Sequence, residues 1–340
     1  MDSWWLQLHR LLSDFYLSLT IPKFRCLFAP LSHIKRFPFA VTLADAIISA
    51  YFRLCGLSPV TVDLDDQTTM HFWAATHRRF DKPALVLIHG YGSTAPWQFF
   101  RQVGPLSRSF NLFIPDLIFF GNSHSKRSDR SEVFQARCVV EGLRSLGVAR
   151  CSLYALSYGG WVGYRAAEMF PEMVEKVVIV SSGVGGCTEE QRREGLQKIG
   201  VKKFTEMLCP KKPADLRSLA AVTMHKFSVA KLLPDFFIRE FITVMHTKHS
   251  KERLELVEHL LERKAAESDL PVLTQETLLV WGDQDRVFPL FFAYQLQRHL
   301  GAKSKLEIIR DTGHAVNMEA PALLNDLIKW FVLGDSKLDV

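Results

Sequence analysis

The stretch Ala155-Leu156-Ser157-Tyr158-Gly159-Gly160 decides the fold of this 340-residue chain. It joins the apolar run Ser152–Leu156, typical of a buried β-strand, to the run Gly160–Phe170, which has helical spacing. A serine on such a sharp strand-to-helix turn is held in a strained backbone conformation, which requires small residues two places before and after it. Ala155 and Gly159 meet that requirement. The stretch therefore predicts a nucleophilic serine at the end of a strand.

Short β-rich runs alternate with helical runs on both sides of this turn. Such alternation predicts an α/β fold, with helices on both faces of a mostly parallel, eight-stranded sheet. The first two runs flank the turn-forming Asp65-Asp66-Gln67 and predict an antiparallel pair. The predicted strands are Val60–Leu64, Thr69–Ala74, Ala84–Ile88, Leu112–Pro115, Ser152–Leu156, Val177–Val180, Thr277–Trp281 and Leu306–Ile309. The predicted helices include Ser131–Leu146, Gly160–Phe170, Leu290–Leu300 and Pro321–Val332.

The alternation is interrupted once. Residues 182–270 are charged and helical in period, they contain no convincing strand, and the β pattern resumes after them. We therefore expect a helical cap, or lid, inserted into a single α/β core formed by residues 59–181 and 271–340. Residues 1–58 precede that pattern and are expected to form an N-terminal helical extension.

Two segments carry side chains that would complement a nucleophilic serine. Trp281-Gly282-Asp283-Gln284-Asp285 follows one predicted strand, and Asp311-Thr312-Gly313-His314 follows the next. Both should emerge beside Ser157 at the C-terminal edge of the sheet, where the ligand sites of open α/β sheets gather. The imidazole would accept the hydroxyl proton, and a carboxylate would orient the imidazole. Asp285 and Asp283 are both candidates for that carboxylate, and Asp283 has the alternative role of a turn residue.

The chain resembles the α/β-hydrolase superfamily over residues 60–335, and it looks most like monoacylglycerol-lipase-type plant hydrolases. Besides the serine turn and the pair Asp285/His314, the resemblance rests on two loops. His89-Gly90-Tyr91-Gly92 follows the third strand, and Phe120-Gly121-Asn122-Ser123 follows the fourth. One position departs from the family pattern, because alanine occupies position 155 where the family has its first glycine of the turn; its small size should preserve catalysis.

The resemblance implies a role for each site residue. The catalytic triad would be Ser157, Asp285 and His314, since the family pattern favours the second aspartate. The backbone N–H groups of Tyr91 and Tyr158 would form the oxyanion hole. The supporting residues of these loops would be His89, Gly90, Gly92 and Gly159, with His89 expected to structure its loop rather than transfer protons.

The expected reaction is acyl transfer to a serine. Epoxide hydrolases and haloalkane dehalogenases of this fold carry aspartate at the turn, whereas Ser157 fits esters, thioesters and some carbon–carbon cleavages. Apolar residues of the cap would line an acyl tunnel or pack the cap helices: Met207, Leu208, Met224, Phe227, Leu232, Leu233, Phe236, Phe237, Phe241 and Met245. We therefore expect a moderately hydrophobic or lipid-like ester as substrate. The alternatives are a receptor-like slow hydrolase that binds a small apolar ligand, and a lipid acyltransferase.

Composition narrows the range of partners. The formal net charge is +6, and no basic stripe with interleaved aromatic residues accompanies it, so we expect no nucleic-acid partner. The six cysteines include no CxxC pair, and no His/Asp/Glu cluster has metal-ligand spacing, so we expect neither a metal nor a cofactor. The cysteines are expected to be reduced thiols, which favours a cytoplasmic protein. We also expect the protein to be a monomer.

The first 58 residues have features of a membrane-surface segment. They carry six basic and three acidic residues, and their charge order differs from that of a secretory signal. Phe39–Leu57 is long enough to cross a bilayer, yet Asp45 and Arg53 favour an amphipathic helix. Aromatic residues together with positive charge suit a bilayer interface, so peripheral membrane contact through residues 1–58 is expected, with packing on the core as the alternative.

Overall fold

A computed structural model gives the fold. It describes residues 38–186, 188–200, 204–226, 229–262 and 270–334. The expectations for residues 1–37 therefore lie outside the described residues, as does the expectation for Phe227.

Among the described residues, nine strands and the helices around them follow the predicted alternation. The strands are β1 (Leu57–Asp63), β2 (Thr68–Ala75), β3 (Ala84–Ile88), β4 (Asn111–Pro115), β5 (His124–Ser125), β6 (Cys151–Leu156), β7 (Val174–Val180), β8 (Glu276–Gly282) and β9 (Ser304–Ile309). The helices of the N-terminal extension and core are α1 (Phe39–Leu54), α2 (Ala95–Ser107), α3 (Glu132–Ser145) and α4 (Tyr158–Met169). Between β7 and β8, in the segment predicted as a cap and called the cap below, lie α5 (Glu189–Lys198), α6 (Phe204–Leu208), α7 (Pro213–Thr223), α8 (Asp235–His246) and α9 (Ser250–Glu262). After β8 come α10 (Phe291–Leu300), α11 (Val316–Glu319) and α12 (Pro321–Leu333).

The sheet is mostly parallel, as predicted. Its strand order is β1-β2-β4-β3-β6-β7-β8-β9, with β5 paired to β2. Strand β2 is antiparallel to β1, β4 and β5, and the pairs from β4 through β9 are parallel. The structure has one strand more than the eight predicted, the two-residue β5. This strand was not predicted because two residues are too few to display a β period.

The central strands are buried on both faces. In β3, Val86 and Ile88 pack into one apolar cluster while Leu85 and Leu87 pack into another, as expected for side chains that alternate across a sheet. Continuous Val/Leu/Ile runs are therefore favoured, since each face is covered by helices. This arrangement fixes the carboxyl ends of the central strands at one edge of the sheet.

Helix α1 joins the core to the cap. Its backbone N–H groups at Ala40 and Val41 donate to the Glu240 carboxylate of α8, at 2.9 and 3.1 Å. The indole Nε1 of Trp97, in α2, donates to Asp45 of α1 at 2.9 Å. A carboxylate at a helix N-terminus satisfies free N–H groups and complements the helix dipole.

Within the described ranges, no helix combines the length and apolarity needed to cross a bilayer.

Candidate active site

Ser157 lies on the tight turn between β6 and α4. Its φ of 53° is in the left-handed region, which costs free energy for a residue with a side chain. The helix that follows lies close against the sheet, since a Cβ added at Gly159 would be only 2.5 Å from the Ile88 carbonyl oxygen. The small residue two places after the serine therefore permits this close approach.

The structure brings Ser157, His314 and Asp285 together in line. His314 Nε2 lies 2.9 Å from the Ser157 hydroxyl oxygen, and His314 Nδ1 lies 2.9 Å from Asp285 Oδ2. The other oxygen of Asp285 accepts hydrogen bonds from the N–H groups of Val287 and Phe288. Because the ionised carboxylate can only accept, it favours the imidazole tautomer with its proton on Nδ1. Nε2 is then free to accept the serine proton.

Asp283 takes a different place. Its Oδ1 accepts a hydrogen bond from the Thr312 N–H at 3.3 Å, across the two loops that follow β8 and β9. Asp283 therefore joins the two loops, whereas Asp285 is the aspartate that contacts the imidazole.

The loop that carries His314 is held by hydrogen bonds to α11 and to the cap. The Gly313 N–H donates to Glu319 Oε2 at 2.6 Å, and the Ala315 N–H donates to the carbonyl of Thr223 in the cap, at 2.9 Å. Glu319 Oε1 also accepts from the backbone N–H of His225, just after α7. The position of His314 consequently depends on both the core and the cap.

The loop after β3 is fixed by the side chains of His89 and Gln98. The Gln98 amide accepts from the Gly90 N–H at 2.8 Å and donates to the Gly90 carbonyl at 3.0 Å. His89 Nε2 accepts from the Leu117 N–H, so its Nδ1 carries the proton and donates to the same Gly90 carbonyl at 2.6 Å. Burial lowers the pKa of His89. The imidazole is therefore a neutral structural element of the loop.

This anchoring determines where the Tyr91 N–H points. The Gly90 carbonyl and the Tyr91 N–H belong to one trans peptide, so they point in opposite directions. Within the described residues, neither the Tyr91 nor the Tyr158 N–H donates to a protein acceptor, and both residues line the cavity at Ser157. Two N–H groups are thus available to a ligand oxygen, as an oxyanion hole requires. Gly90 and Gly92 line the same cavity.

An apolar cavity of about 430 Å³ opens from Ser157 beneath the cap. Of the ten cap residues proposed from the sequence, Met207, Leu208, Met224 and Phe241 line it. Four others pack instead around Trp97 and Val41: Leu233, Phe236, Phe237 and Met245. Leu232 is 47% exposed. The volume lies within the range of small-molecule pockets.

Two residues that support the loop after β3 were not predicted from the sequence. Gln98 lies on α2, eight residues after Gly90, and no local pattern connects the two. Arg253 lies on cap helix α9, where its side chain reaches the Tyr91 carbonyl. A sequence feature does point to Arg253, because it shares a helical face with the buried Leu256 and Val257. An arginine at that spacing is expected to have a buried partner.

Comparison with known proteins identifies the family. Residues 85–327 match the model of the alpha/beta hydrolase family. The chain belongs to this family. The hydrolase YugF of Bacillus subtilis (strain 168) is 27% identical to this α/β hydrolase over 259 residues, covering 74% of this chain and 90% of YugF.

Two further proteins show how far the likeness extends. The 2-hydroxy-6-oxononadienedioate/2-hydroxy-6-oxononatrienedioate hydrolase of Escherichia coli O81 (strain ED1a) is 25% identical over 257 residues, covering 73% of this chain and 86% of its own. The crystal structure of a membrane phospholipase A, a bacterial virulence factor, has a TM-score of 0.72 at 24% identity, covering 96% of this chain and 98% of that one. At this identity, the structural likeness establishes the fold alone.

Proposed function

We propose that this α/β hydrolase is a serine hydrolase that cleaves carboxylic esters of moderately hydrophobic or lipid-like substrates through an acyl-enzyme. One observation carries the proposal: the Ser157 hydroxyl lies 2.9 Å from His314 Nε2, and the other nitrogen of His314 lies 2.9 Å from Asp285. A hydroxyl is a weak nucleophile until an adjacent base removes its proton, and this arrangement supplies the base and its orienting carboxylate.

Acylation would begin with attack of Ser157 Oγ on the ester carbonyl carbon. His314 Nε2 takes the hydroxyl proton as the new C–O bond forms, and Asp285 stabilises the resulting imidazolium. The carbonyl oxygen becomes an oxyanion that accepts hydrogen bonds from the N–H groups of Tyr91 and Tyr158. Collapse of this tetrahedral intermediate breaks the ester C–O bond, and the imidazolium gives its proton to the leaving alcohol. The acyl group then remains on Ser157.

Deacylation would repeat these steps with water. His314 removes a proton from the water as its oxygen attacks the acyl carbon, and the same two N–H groups hold the second oxyanion. Collapse of this second tetrahedral intermediate breaks the bond to Ser157 Oγ and releases the carboxylic acid. The imidazolium then returns the proton to Ser157 Oγ. An alcohol in place of water would yield a new ester, which is the acyltransferase alternative.

The cavity lining supports an uncharged acyl group. Besides His314, Arg286 is the one ionisable Asp, Glu, His, Lys or Arg side chain that lines the cavity among the described residues. The dioate substrate named for the Escherichia coli relative carries two carboxylates, whose burial requires paired charges. A mostly apolar wall instead favours an aliphatic chain.

The test is a chain-length and head-group panel of p-nitrophenyl esters and monoacylglycerols, with Ser157→Ala as the inactive variant. We expect wild-type turnover of medium-chain esters and labelling by a fluorophosphonate probe, both abolished in Ser157→Ala. Ser218→Ala, an exposed serine on α7, is the matched control and should retain both. Absence of labelling and turnover in the wild type would overturn the proposal.

The same panel separates the two alternatives. A receptor-like slow hydrolase would release one equivalent of p-nitrophenol and then stall with a covalent adduct detectable by mass spectrometry. An acyltransferase would give more ester than free acid when glycerol or a monoacylglycerol is supplied. Sustained release of acid from esters, with little transfer to added alcohol, is the result expected for a hydrolase.

We propose in addition that the N-terminal extension makes peripheral contact with membranes, at a cytoplasmic face. Support comes from the start of α1, where Phe39 and Leu43 are 63% and 44% exposed. Apolar side chains on one helix face suit an interfacial helix. Phe39→Ser/Leu43→Ser should weaken co-sedimentation of the full chain with anionic liposomes and leave soluble-ester turnover intact. Unchanged sedimentation would instead assign α1 to packing alone.

A further inference from the structure

Arg253 and Tyr91 form a reciprocal pair between the cap and the core. Arg253, on cap helix α9, is only 3% exposed. Its Nη2 donates to the Tyr91 carbonyl at 3.1 Å, and the Tyr91 hydroxyl donates to the Arg253 carbonyl at 2.7 Å. Its Nη1 donates to the Met245 carbonyl at the end of α8. A cap side chain thus holds the backbone of the loop that contributes to the proposed oxyanion hole.

Aromatic rings surround the guanidinium in place of an acid. Its central carbon lies 5.1 Å from the centre of the Tyr91 ring and 4.4 Å from that of Phe120. The carboxylate two positions along the helix, Glu255, pairs with Arg130 instead. Within the described part of the chain, Arg253 has no carboxylate partner, and burial lowers its pKa. Burying an unpaired charge is costly, so packing alone would favour an apolar side chain here.

The two peptides on either side of the Tyr91 Cα are anchored from different parts of the molecule. Gln98 and His89, both in the core, hold the Gly90 carbonyl. Arg253, in the cap, holds the Tyr91 carbonyl. The Tyr91 N–H lies between these anchors, so its direction depends on both. An oxyanion donor displaced by a fraction of an ångström loses much of its effect, because that effect depends on preorganised geometry.

We propose that Arg253 is a positioning residue that completes the oxyanion hole only when cap helix α9 is seated on the core. The guanidinium fork fixes the Tyr91 peptide through its carbonyl, while the hydroxyl of Tyr91 returns a hydrogen bond to the same helix. The cap thereby controls transition-state stabilisation as well as covering the substrate. This inference rests on the proposed serine-hydrolase function.

The test compares Arg253→Met and Arg253→Lys with the wild type in steady-state ester hydrolysis. Both variants lose the planar fork, since a lysine ammonium offers a point charge without its geometry. We expect kcat to fall about 10-fold or more in each, by more than KM rises, because the lost contact acts on the transition state. Glu255→Gln is the matched control on the same helix. It weakens the contact with Arg130 without touching Tyr91, so its kcat should stay near wild type.

The outcomes separate this inference from the function on which it rests. A wild type without turnover or probe labelling refutes the serine-hydrolase function itself. The positioning role alone is overturned if the wild type is active and kcat of Arg253→Lys falls by less than about 10-fold. A fall no greater than that of Glu255→Gln would overturn it as well. If Arg253→Met fails to fold, Arg253→Lys decides, with its fold checked by circular dichroism. Fluorophosphonate labelling should slow in parallel with kcat, because the phosphonyl oxygen occupies the same hole.

Discussion

Ala155 and Gly163 face each other across the junction of β6 and α4, where a Cβ on Gly163 would lie 2.7 Å from the Ala155 Cβ. The next nearest atoms, on Ile88 and Leu153, are at ordinary contact distances of 3.7 and 4.0 Å. Alanine is therefore accommodated at position 155 because the helix opposite carries a glycine. This pairing explains how the turn tolerates its departure from the family pattern.

A double-mutant cycle measures the pairing. Gly163→Ala should lower the free energy of unfolding by about 1–3 kcal/mol, the usual cost of overpacking a filled core. Ala155→Gly alone should cost roughly 0.5–1 kcal/mol, since glycine is unfavourable in a strand. The double variant should be more stable than Gly163→Ala alone, with the difference measured by urea denaturation. Additive losses would contradict a direct contact between the two side chains.

The two aspartates after β8 provide a second test. Asp285→Asn should reduce kcat about 10⁴-fold, because an amide favours the wrong imidazole tautomer, as in serine proteases. Asp283→Asn is the matched control, since that carboxylate accepts a hydrogen bond from the Thr312 N–H and does not contact the imidazole. It should retain most of its activity and lose some thermal stability. Equal losses of kcat in the two variants would remove the basis for choosing Asp285.

Local sequence patterns account for much of the fold and of the proposed triad. The strained serine turn needs small residues at positions fixed along the chain, and strands buried on both faces need continuous apolar runs. Helix α2 is harder to predict because Pro105 lies inside it, and proline is unfavourable in a helix interior. The short β5 has no measurable period. In each case the deciding interactions are tertiary.

The supporting contacts of the site could not be predicted in the same way. Arg253 and Tyr91 are 162 positions apart, and their contact exists only after the cap folds over the core. The choice between Asp283 and Asp285 likewise depends on where the His314 loop lies after β9. Local patterns can supply candidate residues, but the distances between them are set by chain segments far apart in sequence.

Acid should destabilise the fold partly through His246. Burial, assisted by the nearby charge of Arg253, lowers the pKa of His246 from 6.5 to about 3. Above pH 6.5 the side chain is neutral in both the folded and the unfolded states. Between pH 6.5 and about 3, the unfolded chain binds a proton that the folded protein does not bind, so stability falls as the pH falls.

His246→Leu should reduce this acid sensitivity. The decrease in unfolding free energy between pH 7 and pH 5, measured by urea denaturation at each pH, should be smaller than in the wild type by roughly 2 kcal/mol. The comparison uses a difference between two pH values, so any constant effect of the substitution on packing cancels. The same decrease in both proteins would mean that His246 is already protonated in the fold or accessible to solvent.

Chain-length preference should depend on Ala220, whose side chain lines the cavity from cap helix α7. Ala220→Phe adds a ring to the apolar wall and shortens the space available to an acyl chain. We expect the ratio of kcat/KM for p-nitrophenyl laurate to that for the acetate to fall about 10-fold or more, because excluding several methylenes forfeits their burial. Ala214→Phe, on the exposed side of the same helix, should leave the ratio unchanged. An unchanged ratio in Ala220→Phe would place the acyl chain elsewhere, whereas a fall for both esters alike would indicate a distorted site rather than a shortened one.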